Sequence, residues 1–419
     1  MSCRVLLLVL VMGLAQVTAQ PNHSHLMELY DGKKCFELRE AVLDLEPSSD
    51  PLVLFLRGAA AYFAFDTQRS NRWLRQVLRV SSLKGSELHR KAYGLLAANA
   101  LRVGDYASAS RHFTALLENH ADHLDEDEVQ GYRNIKGLAD QLARTKPQQT
   151  KVLADTFIEK CGPNEGWYVP VKAQGVSIPL LIDTGANFSL LAESVARKLG
   201  AVYVGDGLEV GTVNTRVIQP RLAVIRELSI GQVRLKNAVF LVLDDSSLTM
   251  PDQTVLQGVL GFPALCGLKE ITFHSNGDVF IPRDAPRSAP GKTLCLDGFD
   301  LLFQAEVQGS PLSFQLDSGA RTSILHSPYY QLHKDDIERR YNLTTEDISG
   351  AGGTETVSVY QLENVALRLG DNEVTFERIS VVPKALGKTP EKTHGLMGRD
   401  FMRQFDSLTL NFEEMTLRR

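Results

Sequence analysis

Cysteine is scarce in this chain, with five in 419 residues: Cys3, Cys35, Cys161, Cys266 and Cys295. No two stand at a C-x-x-C spacing, so no thiolate pair is set up for a metal, and neither a metal nor another cofactor is expected. Long Lys/Arg runs are also missing, and the formal net charge of -5 supplies no basic field for nucleic acid. Past the N-terminus no run approaches 18 apolar residues, so nothing there is expected to span a bilayer. With 43% apolar and 23% charged residues, the remainder is ordinary for a globular protein of two to four domains.

The N-terminus itself carries a processing signal. Arg4 is followed by the apolar stretch Val5 to Ala15, and Val17-Thr18-Ala19 offers small residues before a cut. Eleven apolar residues rise only about 16 Å as a helix, short of the roughly 30 Å hydrocarbon core. Residues 1–19 are therefore expected to be a signal peptide, and the mature protein to be exported, periplasmic or secreted. In an oxidising compartment the four cysteines that remain allow three pairings; buried free thiols are the alternative.

Residues 20–150 read as helical. Leu52 to Phe65, Asn71 to Val80, Glu87 to Val103 and Tyr106 to Glu118 place apolar residues three and four apart. Ala92 to Leu117 resembles a tetratricopeptide repeat through Gly104-Asp105-Tyr106, Ala109, Phe113 and Leu116, with a weaker copy near Gly58. That resemblance implies a helical hairpin that docks a protein partner; a plain helical bundle is the other reading.

At Lys146-Pro147-Gln148-Gln149 the character changes, and from Trp167 onward short strand-like alternations dominate. Two stretches there are copies of each other. Asp183-Thr184-Gly185-Ala186 matches Asp317-Ser318-Gly319-Ala320, and Gln174-Gly175 precedes the first Asp as Gln308-Gly309 precedes the second. Between them Ile178, Leu180 and Ile182 alternate as Leu312, Phe314 and Leu316 do, the period of a strand that delivers the Asp at its end. Gly258-Val259-Leu260-Gly261 follows Asp183 by 75 residues, and Gly395-Leu396-Met397-Gly398 follows Asp317 by 78. Further on, Ile271-Thr272-Phe273 matches Leu408-Thr409-Leu410. The expected domains are a first lobe over 160–284, a Pro-rich connector over 285–298 and a second lobe over 299–419.

Paired acids on duplicated strands define a chemistry. Two carboxyls brought close cannot both ionise cheaply, so they share one proton; the ionised one activates water and the protonated one donates to a carbonyl oxygen. Asp183 and Asp317 take these roles jointly. Gly185 and Gly319 let backbone approach the carboxylates, and Thr184 and Ser318 carry hydroxyls that reach the opposite strand. Ala186 and Ala320 add no hydroxyl that would favour the charged form, which points to a mildly acidic optimum.

On these residues, 165–419 resembles the retropepsin-like aspartic peptidases, in particular retroviral-like lobes of some exported bacterial proteins. The resemblance implies a multidomain α + β protein in which two mainly-β lobes form an intramolecular pseudo-dimer behind the helical region. It implies an endopeptidase that takes an extended peptide or unfolded protein, with Gly261 and Gly398 closing the second motif. An idle peptide-binding module and a self-processing protease are the competing readings. Gly350, Gly352 and Gly353 read as the tip of a flap in the second lobe; the first-lobe counterpart is placed near Gly205 to Thr212. The family's Asp-Arg pair beside the site is absent, and Arg321 with Asp400 is a reversed replacement.

Overall fold

A computed structural model describes residues 23–419 apart from 164, 207–209, 212–216, 249–255, 286–291, 351–352 and 387–390. The signal segment, Gly352 and the prolines at 286 and 290 thus lie outside the described residues.

Caps set the rhythm of the helical region. Its helices are α1 (His23–Asp31), α2 (Cys35–Ala41), α3 (Pro51–Phe63), α4 (Thr67–Leu78), α5 (Glu87–Arg102), α6 (Tyr106–His120) and α7 (Glu126–Leu142). The last five open on Asp50, Asp66, Ser86, Asp105 and Asp125, whose side chains each accept from a first-turn N–H. Asp125 and Glu128 complete a reciprocal capping box. Gly104 closes α5 at a left-handed φ of 71°, which lets Asp105 restart the chain as the next cap. Gly58 has no side chain to hold α3 away from Leu74 of α4, where a Cβ would sit 2.8 Å from the leucine.

The repeat in sequence is a repeat in topology. In one sheet the strands Val233–Leu243, Ser189–Ala192, Gly258–Leu260, Val176–Ile182 and Tyr168–Ala173 lie side by side in that order. In the other, Asn372–Val381, Ile324–Leu325, Gly395–Met397, Ser310–Leu316 and Asp300–Val307 lie in the same order. The hairpins that feed the two Asp residues turn on Gln174-Gly175 and Gln308-Gly309, all four at positive φ, the twist a two-residue hairpin needs.

A third sheet joins the lobes. Its central pair is Glu270–His274 against Ser407–Asn411, and the segments that match in sequence are the ones that pair: Ile271 opposite Leu410, Thr272 opposite Thr409, Phe273 opposite Leu408. The Thr272 and Thr409 hydroxyls meet at 2.8 Å on the pseudo-two-fold axis. Buried Glu270 accepts from Asn411 at 2.8 Å and from Arg418, so its charge is matched. One apolar core runs from Ile158 to Met415 through both lobes.

Three short strands move the expected boundaries. Gln149–Val152 joins the first sheet, and Thr156–Ile158 joins the interlobe sheet, so β structure begins inside the stretch read as helical and before residue 160. Leu294–Asp297, read as connector, is the edge strand of the second sheet. Each is too short to show periodicity and is held by distant partners.

That edge is covered by the helical region. Arg39 of α2 donates to Lys292 O and Leu294 O at 2.8 and 2.6 Å, and Arg102 of α5 donates to Leu296 O and Gly298 O at 2.8 and 2.7 Å. These are alternate carbonyls, the outward row an edge strand leaves unpaired. Lys33 adds an ion pair to Asp297 at 2.9 Å. Arg102 is buried, stacks on Tyr62 with its guanidinium carbon 3.6 Å from the ring centre, and also donates to Tyr62 O at 2.8 Å. On the first lobe, Tyr106, Leu138 and Leu142 pack on Leu222, Val224, Val239 and Leu241. Replacing Arg102 with Met removes all three of its hydrogen bonds and should lower stability by about 2–4 kcal/mol, since buried carbonyls are left unpaired. The urea midpoint measures this; an unchanged midpoint would mean that Arg102 does not anchor the edge.

Candidate active site

Asp183 and Asp317 each follow directly on the strands Val176–Ile182 and Ser310–Leu316. Backbone bonds seat them alike: Asp183 N–H donates to Leu260 O at 3.0 Å, and Asp317 N–H donates to Met397 O at 3.0 Å. The two carboxyls converge, the Asp317 carboxylate packed against Gly185 beside Asp183 and the Asp183 carboxylate packed against Gly319 beside Asp317. Burial first, then the Asp317 charge, holds the Asp183 carboxyl well above the usual carboxylate range. Two carboxyls held this close cannot both ionise cheaply, so the pair keeps a proton.

The support is reciprocal across the lobes. Thr184 Oγ1 donates to Leu316 O at 2.8 Å and accepts from Ser318 N–H at 3.0 Å. Ser318 Oγ donates to Ile182 O at 2.9 Å and accepts from Thr184 N–H at 3.1 Å. Both residues are fully buried, so these four bonds lock the strand ends that carry the acids. Gly185 N–H donates to Asp183 Oδ1 at 2.9 Å; Gly319 and Ala320 N–H donate to Asp317 Oδ1 at 2.8 and 3.0 Å. A Cβ on Gly185 would collide with the Asp317 carboxylate, and one on Gly319 with that of Asp183, so only glycine admits the opposing acid.

The second motif props the acid loops from behind. Ala186 O accepts from Phe262 N–H, and Ala320 O from Arg399 N–H, both at 2.9 Å. Gly261 N–H donates to Ser189 Oγ at 3.0 Å and Gly398 N–H to Ser323 Oγ at 2.9 Å. The serines align in the sequence repeat, yet only the fold shows their task. Asp400 does not pair with Arg321: its two oxygens accept from the Ser323 hydroxyl at 2.6 Å and the Ser323 N–H at 2.9 Å. A hydroxyl and an N–H one residue wide satisfy the carboxylate where it stands, while Arg321 is exposed.

Gly350 and Gly353 face each other at the end of the hairpin Leu343–Gly350 and Gly353–Leu369. In the first lobe Val210–Gly211 pairs with Val217–Ile218, so that hairpin extends beyond the expected Gly205 to Thr212.

A third acid escaped the sequence reading. Asp300 opens the strand Asp300–Val307, which pairs with the strand that leads into Asp317, and it accepts from Gln315 Nε2 at 3.2 Å. Burial, then Asp297, then Asp317 push its carboxyl up to about 7 from 3.8. An acid raised on folding keeps a proton that the unfolded chain has lost, so its contribution is complete below about pH 4 and drains away through pH 7. Asp300→Asn should therefore gain on the parent by about 1–3 kcal/mol as pH rises from about 4 to 8. Paired thermal melts check it; a constant difference across that range would contradict it.

The family model described as aspartyl protease matches residues 169–264 and 303–401, one segment in each lobe. Among solved structures, the chain is similar to a retropepsin-like aspartic protease from Rickettsia conorii, with 18% identity over 32% of this chain and 92% of that one (TM-score 0.22). It is also similar to EIAV protease complexed with the inhibitor HBY-793, with 21% identity over 25% of this chain and 86% of that one (TM-score 0.18). No curated protein matches.

Proposed function

We propose that the two β lobes are those of a retropepsin-like aspartyl protease and that this chain is an endopeptidase whose dyad is Asp183 and Asp317. The observation that carries the proposal is the convergence of two acids from separate copies, each packed against the glycine of the opposing acid loop and braced by the other lobe. In the proposed reaction the ionised acid takes a proton from a water held between the pair, and that water attacks the scissile carbonyl. The protonated acid donates to the carbonyl oxygen, and a proton then passes to the leaving nitrogen. No covalent intermediate forms. An extended peptide is the fitting substrate, bound as an added strand beneath the Leu343–Leu369 hairpin acting as a flap.

Ala186 and Ala320 bring only backbone N–H groups to the dyad, which supports a mildly acidic optimum above about pH 3. Export through the first 19 residues and recruitment of a protein partner by the helical region belong to the same proposal. Among the described residues, no helix is long and apolar enough to cross a membrane.

Incubation of the mature protein with a mixed peptide library from about pH 3 to 8, with products read by mass spectrometry, tests this. Internal cuts blocked by a statine-type inhibitor are the expected result. An intact library would leave the lobes as a binding module, and cuts confined to the chain's own residues 145–165 would make it self-processing.

A further inference from the structure

Cys35 and Cys295 lie 260 positions apart in sequence, yet both are buried in one apolar cluster where the helical region meets the second lobe. Cys35 opens α2, and Cys295 sits on the edge strand Leu294–Asp297 that Arg39 and Arg102 hold by its carbonyls. Helix α2 packs directly on that strand, which brings the two buried cysteines into the same cluster. Arg39 reaches the Cys295 sulfur at 2.9 Å, a contact that strengthens when that sulfur carries negative charge. The other two cysteines have no such partner position: Cys161 is exposed and contacts Tyr168 O, while Cys266 contacts Pro263 O. Of the six pairs that these four cysteines could make, the fold brings together one.

We propose that Cys35 and Cys295 form a disulfide that staples the helical region to the second lobe. The bond is made by exchange with a small-molecule or protein disulfide. The Cys295 thiolate, its proton released to solvent, attacks one sulfur of the oxidant and expels the other as a thiolate. The Cys35 thiolate then displaces the oxidant from the mixed disulfide. Two thiols have lost two protons and two electrons, and the oxidant has become two thiols. Burial pushes the Cys35 thiol well up, so the folded interface resists this chemistry and the bond closes during folding. A consequence is that the helical region stays attached when the chain is cut near residues 145–150, which a removable propeptide would not do. The inference does not depend on peptidase activity and is tested without it.

The test is refolding of the 419-residue chain, and of Cys35→Ser and Cys295→Ala variants, in a mixture of reduced and oxidised glutathione. Each product is alkylated under denaturing conditions without reductant, weighed, and digested with trypsin. The parent should take up two fewer alkyl groups than a reduced control and give a peptide linking Cys35 to Cys295 that vanishes with reductant. Each variant should lose that peptide, and reductant should lower the parent's melting temperature by several degrees while leaving the variants' unchanged. Full alkylation of both thiols in the refolded parent, or a linked peptide joining other cysteines, would overturn the proposal. So would a variant that retains the parent's response to reductant.

Discussion

Asp183→Asn and Asp317→Asn should each cut the turnover number for a susceptible peptide by at least about 10³-fold, with the fold intact. An amide can neither accept the water's proton nor share one across the pair. Either change therefore disables both roles, and the double variant should fall no further than the singles. That non-additivity separates a shared site from two independent contributions. KM should move little, because the carboxyls act on reacting atoms and the flanking strands hold the peptide. Single-turnover rates, with far-ultraviolet dichroism as the check on folding, make the measurement. One variant that retains most of the parent's rate would mean that its acid is a bystander.

The second large effect belongs to the hydroxyls beneath the dyad. Thr184→Val with Ser318→Ala removes four buried hydrogen bonds and strands two carbonyls and two N–H groups. Leaving buried partners unmatched costs about 1–3 kcal/mol each, part of it recovered by relaxation, so a loss of about 4–6 kcal/mol is expected. Each single change should cost about half, and coupling between them should exceed about 0.5 kcal/mol because each hydroxyl bonds the other residue's backbone. Activity should fall along with stability, since the strand ends that aim the acids lose their tie. Urea titration of the four proteins gives the cycle. A double variant within about 1 kcal/mol of the parent would show that interlobe packing alone sets the spacing.

What the sequence exposed and what it concealed divide along the range of the interactions. The repeat around Asp183 and Asp317 was visible because local patterns recur: an alternating strand, a two-residue turn, an acid before glycine. Helices α3 to α6 were visible because an amphipathic stripe and a cap lie within a few residues of each other. Strand 294–297 stayed hidden among prolines because two arginines more than 190 residues upstream cover its carbonyls. The match of Ile271-Thr272-Phe273 with Leu408-Thr409-Leu410 was plain in sequence, but that the copies pair with each other follows only from the pseudo-two-fold axis. Asp300 belongs to no motif in the sequence; its nearness to Asp317 comes from two strands that pair in the sheet. Arg321 and Asp400 show the opposite failure, a plausible charge pair displaced by a serine already in place.

Stoichiometry bears most directly on the idea that two acids in one chain build one catalytic centre. Residual activity should be followed as a tight statine-type inhibitor is added to a known concentration of protein. The expected titration reaches zero at one inhibitor per chain, for protein that sediments as a monomer. An end point at one inhibitor per two chains, or activity that survives saturation, would contradict it.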